Sequence, residues 1–477
     1  VTAGSRQSPV AKDVSRREQS ASPSRYGVQC FPSGYPDATR DNRCLRLARQ
    51  VDPNRHNRTL ATSNKIIAQK LKSGILRAAY PFSILSWRNF ALVWSSSTSV
   101  AMGTQMEAVV LGWYVLTLTD SPFLVGLISA ARMALNFLAL FAGAIVDRLP
   151  RHKVLAAVEF TMTALGLLML GLIVSDLLEV WHIFAITLAA GMVRIFQTPS
   201  AQSLVADTLP KDRIANGAAF TTLGMNFAVI IGPLVGGVLF KTVGPEGAYI
   251  VIASFYCVSG LFALSVRVPQ GASLINKDPV IKAVIQGLKY VKGQQVLWAA
   301  LMLAVVINLT GWTFHTSLMP VFARDVLETD SAGLGLLLFA FGLGAFTGSA
   351  IWASIPNLRH VGKMLIMAAV LWHASILVFA ASDDFRLSIG ILAFTGLAWA
   401  STQTLLLTLL LRTTEAEFRG RVMGLRVLAI YAFSFGSVAA GAIAGIWGAP
   451  WAANIVGMVG IALIFVLVIF TPKLRRA

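Results

Sequence analysis

Four charged side chains, Glu107, Arg132, Glu159 and Arg194, sit inside long apolar runs of this chain. A further group crowds a short connection, Gly143-Ala-Ile-Val-Asp147-Arg148-Leu-Pro-Arg151-His152-Lys153. A charge in hydrocarbon costs ~3 kcal/mol or more unless it meets a partner or a wet cavity, so the four intramembrane charges imply ion pairing or proton exchange. Glu107, deep in the first run, is a candidate proton acceptor for Arg194 to face. Arg132 and Glu159 lie nearer helix ends and read as a structural pair. In the connection, Asp147 supplies an anion suited to the positive end of a facing helix. Arg148 or Arg151 is placed to pair with Asp207. Topological anchoring alone would explain the basic residues there but leaves Asp147 without a purpose.

The elements that must hold these charges are membrane-spanning helices. Residues AVILMFWYC make up 56% of the 477, DEKR only 13%, and the mean hydropathy is +0.68, too little charge to cover a soluble core. Twelve apolar segments, at 90–118, 122–146, 153–175, 180–206, 213–240, 246–267, 296–322, 331–356, 361–381, 387–411, 420–447 and 451–471, reach or pass the ~20 residues that a spanning helix needs. They are continuous rather than alternating in polarity, which excludes barrel strands.

The net charge of +18 does not indicate a nucleic-acid partner, because residues 1–88 carry 16 Lys+Arg and 5 Asp+Glu, so +11 of it precedes the first segment. That tail, 1–87, is polar and Arg- and Ser-rich, and it reads as disordered or as a stretch translated from a misplaced start. Its acid-poor composition also suits an organelle transit peptide. Beyond it, Lys and Arg gather in the loops after even-numbered segments. The loops after odd-numbered segments hold three, Lys241, Arg324 and Arg386, against nine acids when Glu246, at the edge of segment 6, is included. Positive loops stay in the cytoplasm, so both termini are expected there, in a multi-pass protein of the cell (inner) membrane.

The segments divide into 88–268 and 296–477, separated by a cytoplasmic loop, 269–295. Within that loop residues 280–292 form an amphipathic pattern, with Ile281, Val284, Ile285 and Leu288 opposite Lys282, Lys289 and Lys292. The halves echo each other: Arg213…Gly232-Pro-Leu-Val-Gly236 in segment 5 has a counterpart in Arg421…Gly436-Ser-Val-Ala-Ala-Gly441 in segment 11. The fold expected is all-α and integral to the membrane, twelve helices as two six-helix bundles in pseudo-symmetric parallel repeat.

These motifs resemble those of the major facilitator superfamily. Gly143-x-x-x-Asp147-Arg148-x-x-Arg151-x-Lys153 resembles its signature loop between helices 2 and 3, with Pro150 where the family usually has Gly. Ala228-x-x-x-Gly232-Pro233-x-x-Gly236-Gly237 is similar to the helix 5 signature of its proton-coupled drug exporters, with Ala for the first Gly. Arg194-x-x-Gln197 resembles a third exporter signature, with Thr198 for the usual Gly. Residues 113–127, with Leu118-Thr-Asp-Ser-Pro122, and the Asp207…Asn216 turn resemble the branch that contains enterobactin and macrolide exporters. The resemblance spans 88–471 and implies a secondary active transporter working by alternating access. Its cargo would be a small organic or amphipathic molecule, siderophore or drug-like, moved outward against protons. It implies a gate at Gly143, Asp147, Arg148, Arg151, Lys153 and Asp207, with Asp147 meeting the start of helix 11. It places Arg194, Gln197 and Glu107 at the cavity and proton path, and a leak-limiting helix 5 at Gly232, Pro233, Gly236 and Gly237.

Other chemistry finds little support. Cys30, Cys44 and Cys257 make neither a disulfide framework nor a metal set, and no cofactor is called for. A phosphate-binding GxxxxGK[ST] loop, a nucleophile elbow and a zinc-ligand pair are all missing from the sequence, which argues against an enzyme. His315 and His373 could relay protons, although a lone intramembrane His is more often a satisfied packing residue, and Trp113, Tyr114, Trp312, Phe314 and Trp399 read as cavity or lipid-belt aromatics. The partners expected are a small-molecule substrate, protons and the lipid bilayer, with no nucleic acid, for a monomer. Rival readings are a non-transporting sensor or assembly protein on the same fold, and an importer or uniporter. Intact Asp147-Arg148 and Gly232-Pro233 argue against a degenerate scaffold.

Overall fold

The computed structural model describes residues 82–138, 142, 145–146, 149–267, 280–355 and 358–476, and no strand occurs among them. In chain order the main helices are α1 (Arg88–Thr119), α2 (Pro122–Ala134), α3 (Arg151–Val174), α4 (Val180–Asp207), α5 (Ile214–Leu264) and α6 (Val280–Lys292). There follow α7 (Gln295–Val326), α8 (Ser331–Ala353), α9 (Val361–Ala380), α10 (Phe385–Thr413), α11 (Ala416–Trp447) and α12 (Ala449–Phe470). Nine of the described helical segments are long and apolar enough to cross a membrane. The molecule is an all-helical, multi-pass membrane protein.

α5 is two helices in one. Gly244 has φ 72° and ψ −179°, a left-handed residue that only glycine adopts without strain, followed at once by Pro245. A straight helix would hold Gly232 and Tyr256 about 36 Å apart. Both instead lie against residues 102–107 of α1, so the chain doubles back at Gly244. The backbone stays helical through Pro233.

The ends of the bundle differ in charge because acids start helices at one end and basic residues gather at the other. Asp330 caps α8 by accepting from Gly333 N–H at 3.0 Å, and Asp384 caps α10 by accepting from Leu387 N–H at 2.7 Å. Glu179 caps α4 in a box with His182. Free N–H groups and the helix dipole favour carboxylates at these positions. Two ends can thus be named, an acidic end with Asp120, Glu179, Asp330 and Asp384, and a basic end with Arg151, Arg213, Arg412 and Lys473.

The helices before and after α6 meet on the acidic side through small residues. A methyl group on Gly237 would lie 2.2 Å from the Ser331 carbonyl oxygen, and one on Gly126 2.4 Å from that of Ser437. Gly335 faces the Pro233 carbonyl, and Gly441 faces that of Pro122. α5 therefore touches α8, and α2 touches α11, at backbone distance. Between helices in lipid, where tails are as apolar as leucine, such close approach supplies the attraction.

α6 rides on the second half. Tyr290 stacks on Phe418 at 4.0 Å with planes 1° apart, and Gly287 abuts Arg421. Ile285 and Leu288 remain about half exposed, an apolar edge suited to a membrane surface.

Gly237→Ala is expected to push α5 from α8 and weaken the acidic-end seal by about 1–3 kcal/mol. In a background with native cysteines replaced by Ser, Leu234→Cys should then react faster with a membrane-impermeant maleimide. Unchanged labelling would show that this contact does not hold the seal.

Candidate functional site

Midway along α1, Glu107 gathers donors from three other elements. Arg194 Nη2 of α4 donates to its Oε2 in a direct ion pair, and the Tyr256 hydroxyl of α5 donates to the same oxygen at 2.8 Å. Arg132 Nη2, in the last turn of α2, lies 3.9 Å away and also donates to the Thr104 carbonyl at 3.3 Å. Arg194 further donates to the Tyr256 oxygen at 3.0 Å. The Glu107, Arg132 and Arg194 side chains are only 14–16% exposed.

Local sequence explains the geometry. Gly103 has no side chain where a Cβ would strike the Tyr256 ring at 2.9 Å, so the phenol passes α1 and reaches Glu107. Pro199 lacks the N–H that would bond the Ile195 carbonyl, and α4 breaks at Ile195 and Phe196, directly after Arg194. That break turns Gln197 toward α3, where its Nε2 donates to Glu159 Oε1 at 2.8 Å. Arg132 and Glu159 are thus not partners. Arg132 faces Thr104 and Glu107 on α1, whereas Glu159 faces α4, and this corrects the pairing expected from their nearness to helix ends.

On the basic-end side of the cluster lies a cavity of about 570 Å³, lined only by residues of α1, α3, α4 and α5. Its polar lining includes Ser96, Thr104, Gln105, Gln197 and Gln202, and no side chain in it carries a charge. Glu107 and Arg194 are not in that lining, whereas Thr104, which accepts from Arg132, and Gln197, which donates to Glu159, are.

Toward the basic end, Arg151 Nη1 donates to Asp207 Oδ2 at 2.7 Å, joining the start of α3 to the end of α4. Lys153 is exposed. Gly143, Asp147 and Arg148 lie outside the described residues, as does the expected meeting of Asp147 with the start of α11. In α5, Gly232 leaves room for Gln105, Gly236 for Met106, and Gly237 for Ser331, while Pro233 turns its carbonyl toward Gly335. These four residues pack α5 against both α1 and α8.

Across the acidic end two ion pairs bridge the halves. Lys241 Nζ lies 2.7 Å from Asp330 Oδ2, and Arg324 Nη2 lies 2.6 Å from Asp120 Oδ1. Arg324 Nη1 also donates to the Leu116 carbonyl at 2.9 Å. Among the described residues no group of three His, Cys, Asp or Glu side chains is arranged to hold a metal ion.

The profile of a family described as transmembrane secretion effectors matches residues 79–475. The chain belongs to that family, an efflux branch of the major facilitator superfamily. It is a family of transporters, not of enzymes. The chain is 24% identical over 403 residues to the multidrug efflux pump Tap of Mycolicibacterium fortuitum, covering 81% of this chain and 96% of that one. It is 24% identical over 312 residues to the enterobactin exporter EntS of Shigella boydii, covering 65% and 73%. The staphyloferrin A transporter of Staphylococcus aureus is 23% identical over 280 residues, covering 57% and 68%. Among solved structures, the nucleoside transporter NupG superimposes with a TM-score of 0.64 at 12% identity, over 80% of this chain and 98% of that one. A bacterial homologue of the lysosomal transporter Spinster, in an inward-facing conformation, gives 0.62 at 14%, over 81% and 96%. The fold is that of the major facilitator family.

Several site residues escaped the sequence reading. Tyr256 gave no signal, since a tyrosine in an apolar run is ordinary. Arg426, whose Nη2 donates to Gln403 Oε1 at 3.3 Å, is a further charge in the first part of α11. His373 is a packing residue, with Thr310 and the Ala369 carbonyl at its two nitrogens. Lys241 and Arg324 had looked like topological charges only, although each is one of just three basic residues in its set of loops.

The Lys241 hydrogen bond, helped by the Gly333 N–H against partial desolvation, holds the Asp330 carboxyl below the usual range. The pair therefore acts in full above the ordinary carboxylate range and is lost as pH falls through the lowered value. Each exposed pair contributes about 0–1 kcal/mol. Asp330→Asn should mimic acid, lengthening the spin-label distance between Val243→Cys and Glu328→Cys. A distance that does not change, in the mutant or in acid, would remove this pair from the seal.

Proposed function

We propose that the protein is a proton-coupled exporter of a small, amphipathic organic molecule of siderophore or drug-like kind, working by alternating access. The observation that carries this reading is the uncharged, mostly apolar cavity beneath a buried charge cluster, in a bundle sealed at one end. Apolar walls with a few hydroxyls and amides suit an amphipathic guest. The relatives, a multidrug efflux pump, an enterobactin exporter and a staphyloferrin A transporter, agree with cargo of that class.

In this reading the basic end faces the cytoplasm, both termini lie there, and the protein spans the cell (inner) membrane twelve times as a monomer. The two six-helix halves are 88–268 and 296–477, joined through 269–295, with 1–87 a tail outside the transport unit. The arrangement then corresponds to an inward-open state. Cargo enters from the cytoplasm beside Gln197 and Gln105. The seals of α5 on α8 and α2 on α11 must part, and the basic end must close, for release. Arg151, Lys153 and Asp207, with Gly143, Asp147 and Arg148, form the gate at the basic end. Gly232, Pro233, Gly236 and Gly237 keep α5 tight against leak. Glu107, Arg194 and Gln197 form the coupling network, because a proton can drive the change only by binding the two states unequally.

Reconstituted protein should expel a catecholate siderophore, a macrolide or ethidium from vesicles when a pH gradient is imposed, and stop when it is collapsed. Uptake toward the basic end, or flux indifferent to the gradient, would overturn the reading. Arg194→Ala should abolish this efflux and destabilise the fold by roughly 3–5 kcal/mol, because it leaves a buried carboxylate short of its partner. Thermal unfolding in detergent checks the second part independently of any substrate.

A further inference from the structure

Glu159 is the second carboxylate of the spanning region, and its surroundings differ from those of Glu107. Its side chain is fully buried. Oε1 accepts from the neutral Gln197 amide at 2.8 Å, and Oε2 has no hydrogen-bond partner. Arg194 acts on it electrostatically without bonding to it, and the Arg194 Nε is itself unpartnered. Leu155, one turn earlier on the same face of α3, lines the cavity, and so does Gln197. Glu159 thus stands one side chain back from the cavity.

We propose that Glu159 carries the exchangeable proton of the transport cycle, reached from the cavity past Gln197 and read by Arg194. The assignment rests on the proton-coupled export reading and names its acceptor. Charge accounting selects it over Glu107. Glu107 touches Arg194 and lies beside Arg132, so a proton there would strip two guanidiniums of their direct anion. Glu159 touches no cation, so a proton there breaks no ion contact. Glu107, Arg132 and Arg194 together carry +1; ionised Glu159 brings the group to zero, and protonated Glu159 leaves it at +1. The proton therefore sets the charge at the head of the cavity.

The neighbours do not supply a competing acceptor. From α4, Arg194 faces Glu159. On the packed second arm of α5 the titratable groups are Glu246, Tyr249, Tyr256 and Cys257; Glu246 sits directly after the Gly244–Pro245 turn at the acidic end, and Tyr256 is engaged with Glu107. On α3 itself the charges are Arg151, His152 and Lys153, about two turns toward the basic end. The step is a simple one: hydronium gives its proton to a Glu159 oxygen and leaves water, and the carboxylic acid later returns the proton to water on the opposite side.

Infrared difference spectra of the purified protein in nanodiscs, titrated from alkaline to acid, test this with the proton itself as ligand. Wild type should show a buried protonated-carboxyl band that Glu159→Gln loses and Glu159→Asp moves. Gln197→Leu, which removes the amide donor but no titratable group, should shift the midpoint of that band. A band retained in Glu159→Gln, or lost instead in Glu107→Gln, overturns the proposal. In proteoliposomes with internal pyranine and ethidium as cargo, Glu159→Gln should lose the acceleration of efflux by the pH gradient, and full acceleration would likewise overturn it. If wild type moves no ethidium with the gradient, the export reading is weakened while the infrared titration still decides Glu159.

Discussion

A charge inside a bilayer cannot be left to itself, and this one constraint organises the first half of the molecule. Glu107 draws a guanidinium from α2, another from α4 and a phenol from α5, so four elements converge on a single carboxylate oxygen. Removing any one of them leaves the others mismatched in low dielectric. The glycine at 103 and the proline at 199 are local devices in its service. One admits the Tyr256 ring, and the other breaks α4 where Arg194 must turn inward.

The halves are held by a different force. At the acidic end the contact is backbone against backbone, through Gly126, Gly237, Gly335 and Gly441, with two ion pairs above it. Dispersion at such distances is strong for as long as the surfaces match and falls away once they separate. The contact is therefore suited to a seal that is either shut or open. The carboxylate that caps α8, Asp330, also pairs with Lys241 on the other half, so starting a helix and closing the seal use one group.

Much of this was legible in the sequence because a membrane leaves few alternatives. Continuous apolar runs of spanning length have one outcome, and loop charge sorts them by side. Glu107 and Arg194 stood out since a charge in such a run needs a reason. What stayed hidden depends on distance along the chain. Lys241 and Asp330 are 89 positions apart, from 330 − 241, and Arg324 and Asp120 are 204 apart, so no local pattern joins them. Tyr256 was hidden by its chemistry, being as ordinary in lipid as it is specific here. The pairing of Arg132 with Glu159 failed for a geometric reason: depth in the membrane does not tell which neighbour a helix face meets.

The cavity has walls from one half alone. A wall that moves as one body keeps its contacts with a bound guest whichever way the bundle faces. Contacts of that kind bind two states equally and so contribute affinity without moving the balance between them. Side chains such as Gln202 and Met225 are therefore free to drift toward new cargo without disturbing the cycle, and broad or changing selectivity becomes easy for such a molecule to acquire.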